Sequence, residues 1–180
     1  MTETVTLWKD GRFFKDSFKL AEAGETSGDL IISADEWLSG DYANHNGRLG
    51  LSLQASDDIE ALSKDFERFD VIVVNFPGFA NGTAFSIARL VRDRHGYSGA
   101  IRASGAYILD QMPLLLRCGV DHFEISSDAV RTGLQRGSWP DLEIRYQHAL
   151  DGDDTSELDA KRPWLTAVFE ADDAFERKVA

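Results

Sequence analysis

Cysteine is almost absent from this chain of 180 residues: Cys118 is the only one. A single thiol excludes an intrachain disulfide and an iron–sulfur cluster held by cysteines of one chain. Long apolar runs are missing as well, since no stretch approaches the roughly 20 residues that a helix needs to cross a bilayer. The opening MTETVTLWKDGRFF lacks the basic-then-apolar order of a secretory leader, so a cytoplasmic protein without a membrane partner is expected. Positive charge is scarce, with 19 Lys and Arg against 31 Asp and Glu and a net charge of −12. That balance opposes attraction to phosphate backbones and argues against a nucleic acid partner. Signature motifs are also lacking: there is no G-x-G-x-x-G after a strand, no Walker loop and no G-x-S-x-G elbow. His45, His95 and His148 show no metal-ligand spacing with one another or with Cys118. No metal and no cofactor are therefore expected, with a non-covalent flavin left open.

What is present is a core. A hydrophobic content of 43% and a charged content of 28% are those of a globular chain, here read as one domain over residues 1–150. Residues 1–20 read as a β-hairpin, because Asp10-Gly11 sits between two strand-like runs. DLIIS, RLGLSL, VIVVNF, GAIRASG and DHFEIS read as strands. Helices are expected at Ala34–Leu38, after an N-cap at Ser56 or Asp57, at Thr83–Arg94, after an N-cap at Asp110, and after Asp128. Strands separated by single helices imply parallel pairing through right-handed crossovers. The expected fold class is thus α/β, with about five mainly parallel strands and an N-terminal hairpin. The sheet is either open or part of a (β/α) barrel, and periodicity does not choose between them. LEIRYQ after Trp139-Pro140 reads as a further edge strand. Residues 151–180 read as an acidic linker and an aromatic tail, in which Trp164, Leu165, Val168 and Phe169 need a surface to pack on, their own domain or a second subunit.

In such folds ligands bind outside the carboxyl ends of the strands. Three loops there, NFPGFANGT, ASGAYILDQ and ISSDA, bring small polar residues to helix N-termini. Free N–H groups and the helix dipole at such places favour an anion, though ordinary caps need the same residues. The candidate ligand-binding residues on the first two loops and in the helix that follows the first are Asn81, Gly82, Thr83, Ser86, Ser104, Gly105, Asp110 and Gln111. Arg102 lies inside a strand expected to be covered on both faces, so its guanidinium must find a carboxylate, a carbonyl or an anion. His122 and Glu124 share one face of the next strand, which leaves two readings: an Arg102–Glu124 ion pair, or a polar pocket of Arg102, His122 and Glu124. Cys118, ending a helix before Gly119, reads as a buried, unreactive thiol. No catalytic residue is assigned.

The segment from Phe76 to about Ile125 resembles the core of the bacterial family called domain of unknown function 934. The resemblance is carried by Phe76-Pro77, Phe79, Gly82, Phe85-Ser86, Ala88-Arg89, Arg92, Gly96, Gly99, Arg102-Ala103, Gly105, Asp110-Gln111, Arg117-Cys118-Gly119 and Phe123-Glu124. Two loop positions depart from the family pattern: Thr83 stands where relatives carry arginine, and Ala106 where they carry aspartate. The resemblance implies small proteins associated with assimilatory sulfite reductase. The expected function is therefore an accessory protein of sulfite assimilation, acting with sulfite reductase or its electron donor. The alternative is a small anion-binding α/β enzyme or ligand-binding protein. A third reading is self-association through the aromatic tail.

Overall fold

Short apolar runs alternating with amphipathic segments set the architecture. The computed structural model describes residues 6–140 apart from Ala23 and Thr26. The edge strand, acidic linker and aromatic tail expected beyond Pro140 lie outside the described residues. The chain opens with β1 (Thr6–Lys9) and β2 (Arg12–Lys15), paired antiparallel. Between them Asp10 and Gly11 have φ of 47° and 77°, the pair of positive values that a type I′ turn needs to match strand twist. Next come β3 (Lys19–Leu20), β4 (Leu30–Ser33), α1 (Ala34–Ser39) and β5 (Leu49–Leu53). α2 (Ile59–Leu62) runs on as a 3₁₀ turn to Arg68, and β6 (Val71–Phe76) follows. α3 (Thr83–Arg89) widens into a π-helix over Leu90–Arg94 before β7 (Ala100–Gly105). A 3₁₀ turn at Leu109–Gln111 leads into α4 (Met112–Arg117), then β8 (His122–Glu124) and α5 (Asp128–Gln135). None of these helices is long and apolar enough to cross a membrane.

The strands form one eight-stranded sheet in the order β2-β1-β8-β7-β6-β5-β4-β3. Strands β3 to β8 run parallel, while β1 is antiparallel to β8. The expectation of about five mainly parallel strands is thereby corrected to a larger sheet of mixed direction. Two residues of β3 are too few to display a period, and the hairpin joins the sheet through Leu7↔Glu124 and Trp8↔Phe123, partners far apart in the sequence.

The topology also decides how the sheet bends. From β3 to β8 the order never reverses, so right-handed crossovers put the helices on one face. Laid flat, eight strands about 4.8 Å apart would separate the edges by roughly 34 Å. Yet residues 16–18 alone join β2 at one edge to β3 at the other. The chain from Lys15 to Lys19 reaches at most about 14 Å. The sheet must therefore curl until its edges approach, with the 16–18 strap across its concave side. Among the described residues β2 and β3 do not pair, so this is an open, curled half-barrel.

The convex face holds the main core, where Leu51, Ile72, Val74, Phe76, Ile101 and Phe123 are buried. On the concave face Ile31, Val71 and Val73 pack with Phe18 of the strap and Ala100. Gly50 belongs there for want of space: a Cβ on it would lie 2.7 Å from Val71 Cγ1 and 3.1 Å from Ile31 Cγ1.

Arg92 braces the amino-terminal end of the parallel strands. The sequence places it on the polar face of its helix, but its guanidinium turns inward and donates to the carbonyls of Gly119 (2.9 Å), Gly99 (3.0 Å) and Tyr97, with Asp121 at 3.4 Å. Helix starts also differ in detail from the expected ones. Asp58, not Ser56 or Asp57, caps α2 by accepting from Ala61 N at 3.1 Å. Asp110 lies inside the 3₁₀ turn at Leu109–Gln111, and Ser127 occupies the N-cap of α5.

Candidate functional site

Strand register gathers the expected polar residues on the concave face. Arg102 aligns with Val73 on one side and His122 on the other, and Ser104 aligns with Asn75. Glu124 lies two residues beyond His122 and so points the same way. Arg102 is 3% exposed, covered as its strand position requires. Its partner is Asp16 of the strap, not Glu124: Nη1 lies 2.5 Å from Oδ2 and Nη2 2.9 Å from Oδ1, a two-pronged contact. The Phe18 ring covers the guanidinium at 5.7 Å. Arg102 Nε is buried without a hydrogen-bond acceptor.

With Asp16 neutralising Arg102, Glu124 is left as a second carboxyl in a half-buried place. Burial is the main force raising its pKa above the ordinary value of 4.5; Arg102 opposes the rise and Asp16 adds to it. Glu124 therefore keeps its proton to higher pH than an exposed carboxyl does. Tyr107 fixes the strand beneath it, its hydroxyl donating to the Glu124 carbonyl at 2.6 Å. His122 is oriented by its neighbour, with Nδ1 2.6 Å from Asp121 Oδ1, and the same oxygen accepts from Ile101 N at 3.0 Å. Ser104 Oγ lies 3.4 Å from Asn75 Oδ1.

At the carboxyl ends of the strands, the anion positions of several helix starts are taken by the protein's own side chains. Ser33 and Glu36 form a reciprocal capping box at α1. Asp58 caps α2, Asn81 Oδ1 accepts from Thr83 N at 3.0 Å, and Gln111 Oε1 accepts from Ile108 N at 3.1 Å. Gly105 has φ 89°, and a Cβ there would sit 2.3 Å from the Phe76 carbonyl, so glycine is required for the loops after β6 and β7 to touch. Gly82, Thr83, Ser86, Ala106 and Asp110 are exposed.

The charge of this end emerges once the topology is known. The loops after β4 to β8 place Asp35, Glu36, Asp57, Asp58, Asp110 and Asp128 on one rim, and residues 34–36, 54–60, 77–83, 106–111 and 126–128 include no Lys or Arg. Arg131, in α5, spends its guanidinium on the Ile125 carbonyl at 3.0 Å. The exposed Lys15 stands two strands away from β8, at the end of β2.

Asp16, Phe18 and Tyr107 were not legible as site residues. Asp16 and Phe18 act through a strap that only the curled sheet brings over Arg102. Cys118 is buried, and burial pushes its thiol upward against the pull of Arg89 and Arg117, as suits an unreactive side chain. Among the described residues no three His, Cys, Asp or Glu side chains assemble as a metal set. Two clefts, of about 440 Å³ beside the hairpin turn and about 620 Å³ at the amino-terminal end near His95 and Tyr97, include none of the expected site residues.

Searches of curated proteins and of solved structures found no match to the chain. A family model described as "Bacterial protein of unknown function (DUF934)" matches residues 50–156, more than half of the chain and all but the first residue of its β5–β8 core, and the chain belongs to that family.

Proposed function

We propose that this protein is a cytoplasmic accessory component of sulfite assimilation that docks onto sulfite reductase or its electron donor and has no redox centre of its own. The observation that carries the reading is the acidic rim without loop cations, at the end of the sheet where this class of fold meets its ligands. A rim of one sign steers a partner of the opposite sign into encounter and penalises wrong partners. The association with sulfite reduction rests on the family resemblance set out above. A small-anion site has less support: side chains occupy the starts of α1, α2 and α3, through Ser33 and Glu36, Asp58 and Asn81, and Asp16 already neutralises Arg102.

The test is binding of the purified chain to sulfite reductase holoenzyme, and separately to its electron donor, at low and high salt. A complex with either that weakens as salt rises is the expected result. Absence of binding to both at micromolar concentration overturns the reading.

A further inference from the structure

The acidic rim encloses apolar surface. Pro77, Phe79, Ala80, Ala106 and Ile108 are all exposed on the loops after β6 and β7, Phe79 by 59% and Ile108 by 38%. The two loops that carry them are fixed. Gln111 bridges them, its Nε2 donating to the Phe79 carbonyl at 3.3 Å while its Oε1 accepts from Ile108 N. Ala106 N donates to the Phe76 carbonyl at 2.8 Å, and Gly105 permits the close approach. An aromatic and an aliphatic side chain are thus held outward on a braced backbone, with Asp110 beside them. That is the make-up of an interface anchor: apolar groups on a pre-set frame, rimmed by charge.

We propose that Phe79 and Ile108 form the apolar anchor of a docking surface for a basic protein partner, which surrounds them with Lys or Arg side chains facing the acidic rim. Charge selects this occupant. A second copy would set the same acidic rim against itself. Residues 141–180 of the chain, with eleven Asp and Glu against five Lys and Arg, would be repelled as well. The proposal rests on the docking reading above and adds the residues that make the contact.

Two measurements separate the proposal from that reading. In the first, the affinity of the full chain for sulfite reductase holoenzyme or its electron donor is compared for wild type, Phe79→Ser and Leu38→Ser. Leu38 is a control of similar exposure, 62%, at the far end of α1. Loss of about tenfold or more in affinity for Phe79→Ser is expected, with the control within about twofold. Equal affinities for all three would overturn the anchor while leaving the accessory role standing. In the second, amide exchange of the full chain is followed during titration with a synthetic peptide of alternating Lys and Leu. Protection confined to residues 77–82 and 105–111 is expected; protection elsewhere, or none, overturns the surface even if no natural partner binds.

Discussion

The two ends of the parallel strands treat polar groups in opposite ways. At the amino-terminal end Arg92 feeds the carbonyls of Gly119, Gly99 and Tyr97, and the Tyr97 hydroxyl donates to the Phe69 carbonyl at 2.9 Å, so charge and hydroxyl are consumed in holding loops together. At the carboxyl-terminal end the loop carboxylates cap helices or face water, the loop cations are missing, and Phe79 and Ile108 remain outside. One end is braced by its own side chains, and the other presents carboxylates and apolar groups to solvent. Between them the buried Arg102–Asp16 pair fastens the strap that keeps the sheet curled. The difference teaches that an unusual residue type is a poor guide to a site: the arginine buried in a strand serves the fold, whereas plain loop aspartates gather into one acidic rim.

This division predicts a graded set of effects. The largest belongs to the strap. Arg102→Met leaves Asp16 buried and unpaired, and a loss of about 3–5 kcal/mol in unfolding free energy is expected from denaturant titration. The double variant Asp16→Leu, Arg102→Met should recover most of that loss; additive losses would show that the strap is not held by this pair. Arg92→Ala should cost about 2–4 kcal/mol, since three partly buried carbonyls lose their donor, yet leave partner affinity unchanged in the folded fraction. A parallel loss of affinity would break the separation of the two ends.

Glu124 gives a smaller, pH-dependent effect. Its folded pKa is raised, so the folded chain keeps this proton to higher pH than the unfolded chain does. The contribution of this group to stability is therefore most favourable below 4.5 and declines as pH rises through the window from 4.5 to the raised folded value. Glu124→Gln should remove that decline, gaining on the wild type toward neutral pH and matching it in acid. Urea midpoints measured across pH decide the matter, and an offset independent of pH would contradict it. The smallest effect on stability belongs to Phe79→Ser, within about 0.5 kcal/mol, because an exposed side chain has little burial to lose.

How much of this could be read in advance varied with how local the cause was. VIVVNF announced β6 over Val71–Phe76 because the strand is buried on both faces and bounded by Asp70 and Pro77. Asp10-Gly11 announced the hairpin, since both residues tolerate positive φ. The α2 cap shifted by one residue because Asp57 and Asp58 are both competent and only the backbone path chooses; Asp57 accepts instead from Gln54 N at 2.8 Å. The burial of Arg102 was legible in a strand covered on both faces, but its partner was not, because Asp16 arrives from the hairpin through a strap whose position depends on the closed curve of the sheet. The rim was hidden for a similar reason. No loop carries more than three carboxylates, and they become one surface when sequential parallel pairing brings the loops to the same end.

The account is tested most directly by neutralising the rim while sparing the fold. Asp57, Asp110 and Asp128 are replaced together by Asn in the full chain, and association with sulfite reductase holoenzyme or its electron donor is followed at low salt. A slower association rate that falls less steeply as salt is added is predicted, with unchanged unfolding behaviour. Association as fast and as salt-sensitive as that of the wild type would contradict it.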